Sequence, residues 1–203
     1  MSLFCLLWIP LFYLFWCSLA DNDTGAGEAW ALTGGILIAS IQFFWGPFVE
    51  PGGFDFHRWL SACIDIVVFP AILPFLAYFL LTKSKIIKNP VNLTGFTLLW
   101  LTPGAVFRSF FWSSLNDPIL LIIVPILWTA IAVGVPFFIK LIQKGRNSVI
   151  VLSSLGILVL PFAAASSYWA LFSHKTYLGF SLFFAAAAPM LVYVTLCLLN
   201  PKR

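Results

Sequence analysis

The chain contains 203 residues, of which 62% are hydrophobic and only 9% are charged. Soluble domains average roughly 45–50% apolar and about 25% charged residues, so this composition excludes a water-soluble monomer. A membrane-spanning helix needs about 20 consecutive apolar residues, and seven such helices would fill most of the chain. The sequence therefore predicts an all-α fold, a polytopic helical membrane bundle that forms a single integral membrane domain over residues 1–203.

Seven apolar stretches follow one another and are separated by polar or turn-forming residues. Backbone N–H and C=O groups must be paired within lipid, and no strand-like alternation is present, so these stretches are predicted to be helices. The five stretches after residue 59 are each long enough to cross the hydrocarbon core. The candidate spans are residues 3–20, 30–49, 60–82, 93–112, 119–139, 148–170 and 177–199.

The first 58 residues allow two arrangements. The stretch 3–20 ends in Ser18, Leu19 and Ala20, which suits a signal peptidase, but it lacks the basic start of a secretory signal. Whether it is a retained helix or a cleaved signal stays open. The stretch 30–49 is diluted by glycine, serine and proline, so it either spans the membrane or forms a re-entrant segment. Seven transmembrane helices are favoured over six plus a re-entrant segment.

Basic residues mark the predicted cytoplasmic side. Lysine and arginine close to span ends stay in the cytoplasm during insertion, which places the C-terminus there. The expected location is a plasma membrane or a bacterial inner membrane, and the lipid bilayer is the expected partner. Topology also accounts for the formal net charge of +4, so no nucleic-acid partner is predicted. The three basic groups are Lys83, Lys85 and Lys88; Lys140, Lys144 and Arg146; and Lys202 with Arg203.

Two charged residues lie inside predicted spans. Asp65 lies six residues inside the third stretch if Trp59 marks its outer edge, and Arg108 lies four residues before Trp112 at the outer end of the fourth. Asp65 and Arg108 are nearly the same number of residues away from the turn that joins the two stretches. They should therefore lie at nearly the same depth in the membrane. Either charge alone would cost up to about 2.5–3.5 kcal/mol at the bilayer centre. We therefore predict an embedded ion pair, which either braces two helices or belongs to a ligand, ion or proton site.

Further polar residues gather on the same predicted side of the membrane. They either line an outer vestibule above the embedded pair or are simply the polar residues that loops carry. Arg58 is also an alternative partner for Asp65, because both share a helix face with Ser61. The candidate vestibule residues are Gln42, Glu50, His57, Arg58, Ser61, Asp117 and His174.

No catalytic motif is recognisable in the chain. The sequence lacks the P-loop, the dinucleotide fingerprint, the zinc-protease motif and the hydrolase nucleophile elbow. All four cysteines lie in apolar stretches without the spacing of metal ligands, so no metal or cofactor is predicted. Ser61 and His57, one helical turn apart, are the single local pair that resembles a nucleophile and its base.

Three functions follow, in order of preference. The leading prediction is a small permease or the membrane subunit of a transport assembly, which would work with other membrane subunits or a cytoplasmic ATPase. The second is a membrane scaffold or assembly protein without a site of its own. The third is an intramembrane lipid-modifying enzyme, and an enzyme is not favoured.

Overall fold

The structure is a computed structural model that describes residues 2–19, 26–45, 55–86, 93–111, 118–145 and 147–199. These residues form seven helices and contain no strand, which confirms the all-helical prediction for the described part of the chain. The helices are α1 (Ser2–Leu19), α2 (Ala26–Trp45), α3 (Phe56–Lys83), α4 (Leu93–Phe111), α5 (Pro118–Lys144), α6 (Asn147–Phe172) and α7 (Thr176–Leu199).

Four of these helices are long and apolar enough to cross a membrane. They are α3, the Ile122–Gln143 part of α5, α6 and α7, and they correspond to the predicted stretches 60–82, 119–139, 148–170 and 177–199. The described residues of the stretches 3–20, 30–49 and 93–112 also lie in helices, which end at Leu19, Trp45 and Phe111. Among the described residues their apolar parts are shorter: Leu6–Leu19, Gly27–Ile41 and Leu93–Phe107.

The helix α3 changes its hydrogen-bonding pattern in the middle. Phe56–Cys63 and Leu73–Lys83 are α-helical, whereas the nine residues Ile64–Ile72 between them form a π-helix. Pro70 lies inside this π segment and Pro74 follows it. A proline ring in an α-helix clashes with the carbonyl group four residues earlier, at a cost of about 3 kcal/mol. The wider π turn relieves this clash, because its hydrogen bonds join residues five apart.

The helix α5 forms the centre of the bundle. It contacts α1, α3, α4, α6 and α7, and almost every side chain from Ile123 to Val135 is buried. The helix α2 lies further out and packs mainly on α4.

Large apolar side chains are exposed on the outer faces of the described helices. Leu152 and Phe184 are examples, with 68% and 65% of their surface exposed, and similar side chains cover the outer faces of α6 and α7. Soluble monomers rarely expose continuous apolar surface of this extent. The exposed faces therefore fit a lipid environment.

Candidate functional site

The carboxylate of Asp65 lies inside the bundle. Asp65 is the second residue of the π segment, and only 3% of its surface is exposed. The segment that carries it packs against α4, α5 and α6. A buried polar side chain needs a partner, and Asp65 does interact with its surroundings.

The described backbone places Arg108 at about the level of Asp65. The ring of Tyr78 in α3 meets the ring of Phe96 in α4, with centroids 5.4 Å apart. Asp65 lies 13 residues before Tyr78, and Arg108 lies 12 residues after Phe96. Because α3 and α4 are consecutive, packed helices, these steps lead to the same end of the bundle. The Arg108 side chain lies outside the description, so the ion pair itself stays a prediction.

A tryptophan one turn before the π segment joins α3 to α6. The Trp59 indole N–H donates to the Ser166 hydroxyl oxygen at 3.0 Å, and its ring stacks on Phe162 with centroids 6.0 Å apart. Sequence analysis used Trp59 only as a marker of the membrane boundary and missed this contact. The contact fixes the α-helical segment that leads into Asp65.

The predicted vestibule residues are described in part. Asp55 caps α3 by accepting a hydrogen bond from the His57 backbone N–H at 3.4 Å, and the His57 side chain is exposed. Arg58 and Ser61 are half-buried. His174 is exposed in the turn between α6 and α7, where its φ of 59° reverses the chain.

The start of α3 and the end of α6 share one end of the bundle, because Trp59 binds Ser166 there. His57 and His174 therefore lie at that same end, as the vestibule prediction requires. Gln42 belongs to α2, but its side chain lies outside the described residues, as do Glu50 and Asp117. Convergence of all seven residues on one vestibule stays a prediction.

A small apolar cleft lies beside the π segment. It is partly open and has room for about one water molecule. The Trp100 indole nitrogen is buried and has no hydrogen-bond partner among the described residues. The lining residues are Gly35, Ile38, Ala39, Phe69, Pro70, Trp100, Leu101, Gly104 and Trp128.

Polar contacts also occur away from Asp65. The Lys140 ammonium donates to the Tyr193 hydroxyl at 2.9 Å, which joins α5 to α7. The Tyr13 hydroxyl donates to a Glu28 carboxylate oxygen at 2.5 Å, which joins α1 to α2. Sequence analysis missed the second contact, because a tyrosine in an apolar stretch does not reveal which acidic residue it will meet.

The described residues show little that resembles catalysis or metal binding. The Ser61 hydroxyl donates to the backbone oxygen of His57 at 3.0 Å. Within the described ranges, no group of three histidine, cysteine, aspartate or glutamate residues is placed to hold a metal ion. An intramembrane enzyme therefore stays the third prediction.

Comparison with protein families, characterised proteins and solved structures finds no match to this chain. The described chain is all-helical, and its long apolar helices suggest that it is embedded in a membrane.

Proposed function

We propose that this is a multi-pass membrane protein that works in translocation, either as a small permease or as the membrane subunit of a transport assembly. The observation that carries the proposal is the buried Asp65 side chain within a long apolar helix. Ionisable residues within membrane spans are rare and costly, and they commonly mark ion, proton or substrate pathways.

The surroundings of Asp65 support the same function. π-Helical turns are often found at functional sites. The cleft is lined by Phe69 and Pro70, which follow Asp65 by about one helical turn. A buried acidic side chain, an irregular helix and a small cleft are thus combined in one part of the bundle.

The proposed topology has seven spans that alternate in direction. The exposed Lys83 and Lys85 follow the end of α3, and Lys140 lies near the end of α5. We place these ends and the C-terminus in the cytoplasm, and we place His57 and His174 outside. The membrane would be a plasma membrane or a bacterial inner membrane.

An energy source is also part of the proposal. The chain is almost entirely committed to apolar helices, so we assign energy supply to an ion gradient or to a cytoplasmic ATPase. Lipid and further membrane subunits would be the other partners.

A scaffold without its own site is the second candidate, and a specific observation favours it. The described interior is closely packed around α5, and the cleft has room for about one water molecule. Tight packing suits a protein whose helices hold other membrane components in place.

Cysteine accessibility distinguishes the two candidates. In a cysteine-free variant, Ser61→Cys and Gly104→Cys would be treated with a membrane-impermeant methanethiosulfonate reagent. Transport predicts that both positions react, because a hydrated path must reach the neighbourhood of Asp65.

Two controls fix the scale of the labelling. His174→Cys lies in an exposed turn and should react fully, whereas Leu158→Cys faces lipid, with 60% of the leucine surface exposed, and should not react. If Ser61→Cys and Gly104→Cys both behave like Leu158→Cys, the bundle is dry and the scaffold replaces the permease.

A further inference from the structure

The two α-helical halves of α3 are held by different neighbours. Trp59 in the first half binds Ser166 and stacks on Phe162, both in α6. Tyr78 in the second half packs edge-to-face against Phe96 in α4. The π segment Ile64–Ile72 is the connection between these two attachments.

The π segment determines where Asp65 points relative to the second half of α3. A π-helix turns through fewer degrees per residue than the 3.6-residue α-helix. Over the nine residues of Ile64–Ile72 the difference adds up to roughly half a turn. If the segment became α-helical, Asp65 would face a different side of α3 relative to Leu73–Lys83.

Prolines favour the π form here but do not forbid the α form. Pro70 and Pro74 are spaced four residues apart, so in an α-helix the ring of Pro74 would meet the carbonyl group of Pro70. Elsewhere the same chain accommodates proline within ordinary α-helices. Those residues are Pro10, Pro103, Pro125, Pro136, Pro161 and Pro189.

A small cleft adjoins the segment. Phe69 and Pro70 line it together with Gly35 and Gly104, and it has room for about one water molecule. A change of register therefore requires the neighbouring side chains to repack.

We propose that Ile64–Ile72 is a two-state element that converts between a π-helix and a proline-kinked α-helix, and that this conversion rotates Asp65 relative to Leu73–Lys83. The inference rests on the proposed function in one respect, since rotation would change the surroundings of the embedded carboxylate during translocation. The change of register itself is measurable without any transport assay.

The test measures the distance across the segment in the full-length protein. Spin labels would be attached to Leu60→Cys and Leu76→Cys, which flank the segment and are exposed by 44% and 53%. Pro70→Ala and Pro74→Ala would be combined to remove both ring clashes and restore two N–H donors. We expect the mean label distance to lengthen by several ångströms, because an α-helix is longer than a π-helix with the same number of residues.

Two controls accompany this measurement. Pro161→Ala removes a proline from an ordinary α-helix in α6 and should leave the Leu60–Leu76 distance unchanged. The distance between spin labels on Leu60→Cys and Val159→Cys, which are exposed positions in α3 and α6, should be the same with and without the two proline replacements. An unchanged distance shows that the first half of α3 remains seated on α6.

An unchanged Leu60–Leu76 distance in the combined proline variant, with the Leu60–Val159 distance also unchanged, would overturn the two-state element. If the combined variant does not fold, Pro74→Ala alone should give a smaller shift in the same direction, and no shift there would also overturn the inference. A shifted distance together with a dry Gly104 position would overturn the proposed function and retain the two-state element.

Discussion

At the residue scale, the burial of the acidic side chain of Asp65 needs a physical explanation. Its carboxylate is 97% buried within a membrane-type helix, where a charge is stable only when it is well compensated. The register set by Tyr78 and Phe96 brings the backbone of Arg108 to about the same level. An arginine side chain is long enough to cover the remaining offset, so it is the first partner to test.

A double-mutant cycle tests the predicted ion pair. Asp65→Asn and Arg108→Gln would be made singly and together, and unfolding free energies would be measured in mild detergent. We expect the effects to be non-additive, with a coupling of about 1–3 kcal/mol, because residues in one charge network share their stabilisation.

Asp55→Asn provides the matched control for this cycle. Asp55 is an exposed aspartate at the start of the same helix, so its effect should add to that of Arg108→Gln. Additive effects for Asp65 as well would remove the ion pair and direct attention to Arg58.

At the scale of elements, two glycines of α2 allow it to lie directly against α4. A Cβ atom on Gly35 would overlap the backbone oxygen of Trp100, and one on Gly34 would overlap the Trp100 ring. Small residues allow helices to approach closely in lipid, where no hydrophobic force drives them together. The close contact of α2 with α4 therefore depends on the absence of a side chain at Gly34 and Gly35.

Replacement of Gly35 should loosen this crossing. We expect Gly35→Ala to destabilise the protein by about 1–3 kcal/mol, because the obstructing atom belongs to the backbone of α4 and cannot rotate away. The measurement is the midpoint of thermal or denaturant-induced unfolding in detergent.

Leu37→Ala is the control on the same helix. Leu37 is 58% exposed on the lipid-facing side, so its truncation should change the midpoint little. Equal midpoints for Gly35→Ala and the wild-type protein would show that α2 is not held by close contact with α4.

At the scale of the whole molecule, the described charged residues differ between the two ends of the bundle. Lys83, Lys85 and Lys140 lie at one end, whereas the other end carries both signs of charge, with Asp55, Arg58 and Lys175 beside His57 and His174. Between them lie a buried central helix and apolar outer faces. This asymmetry is the basis of the proposed orientation.

The orientation of the protein in the membrane can be measured with a matched pair of cysteine variants at two turn residues. Lys85 and His174 are both exposed and have φ values of 58° and 59°. In intact cells, an impermeant maleimide should label His174→Cys, and it should label Lys85→Cys only after the cells are permeabilised. The reverse pattern would invert the topology and place the proposed vestibule inside the cell.

The helical class was predictable from the composition, and most helix positions were predictable from the apolar stretches of the sequence. The stretch 148–170 corresponds to α6 at Asn147–Phe172, and 177–199 corresponds to α7 at Thr176–Leu199. Lipid leaves the backbone no partner except itself, so a long apolar stretch has few alternatives to a helix. Asp65 could be singled out for the same reason, since a charge within such a stretch stands out.

The sequence did not predict the π segment or the partners of individual side chains. Pro70 lies in a π-helix while Pro161 lies in an ordinary α-helix, so the presence of a proline does not by itself predict the form of the helix. Trp59 and Ser166 are 107 residues apart, and no local pattern pairs them. In water, the spacing of apolar residues reveals which helix face is buried. In lipid both faces are apolar, so helix rotation and side-chain pairing were decided by the tertiary structure.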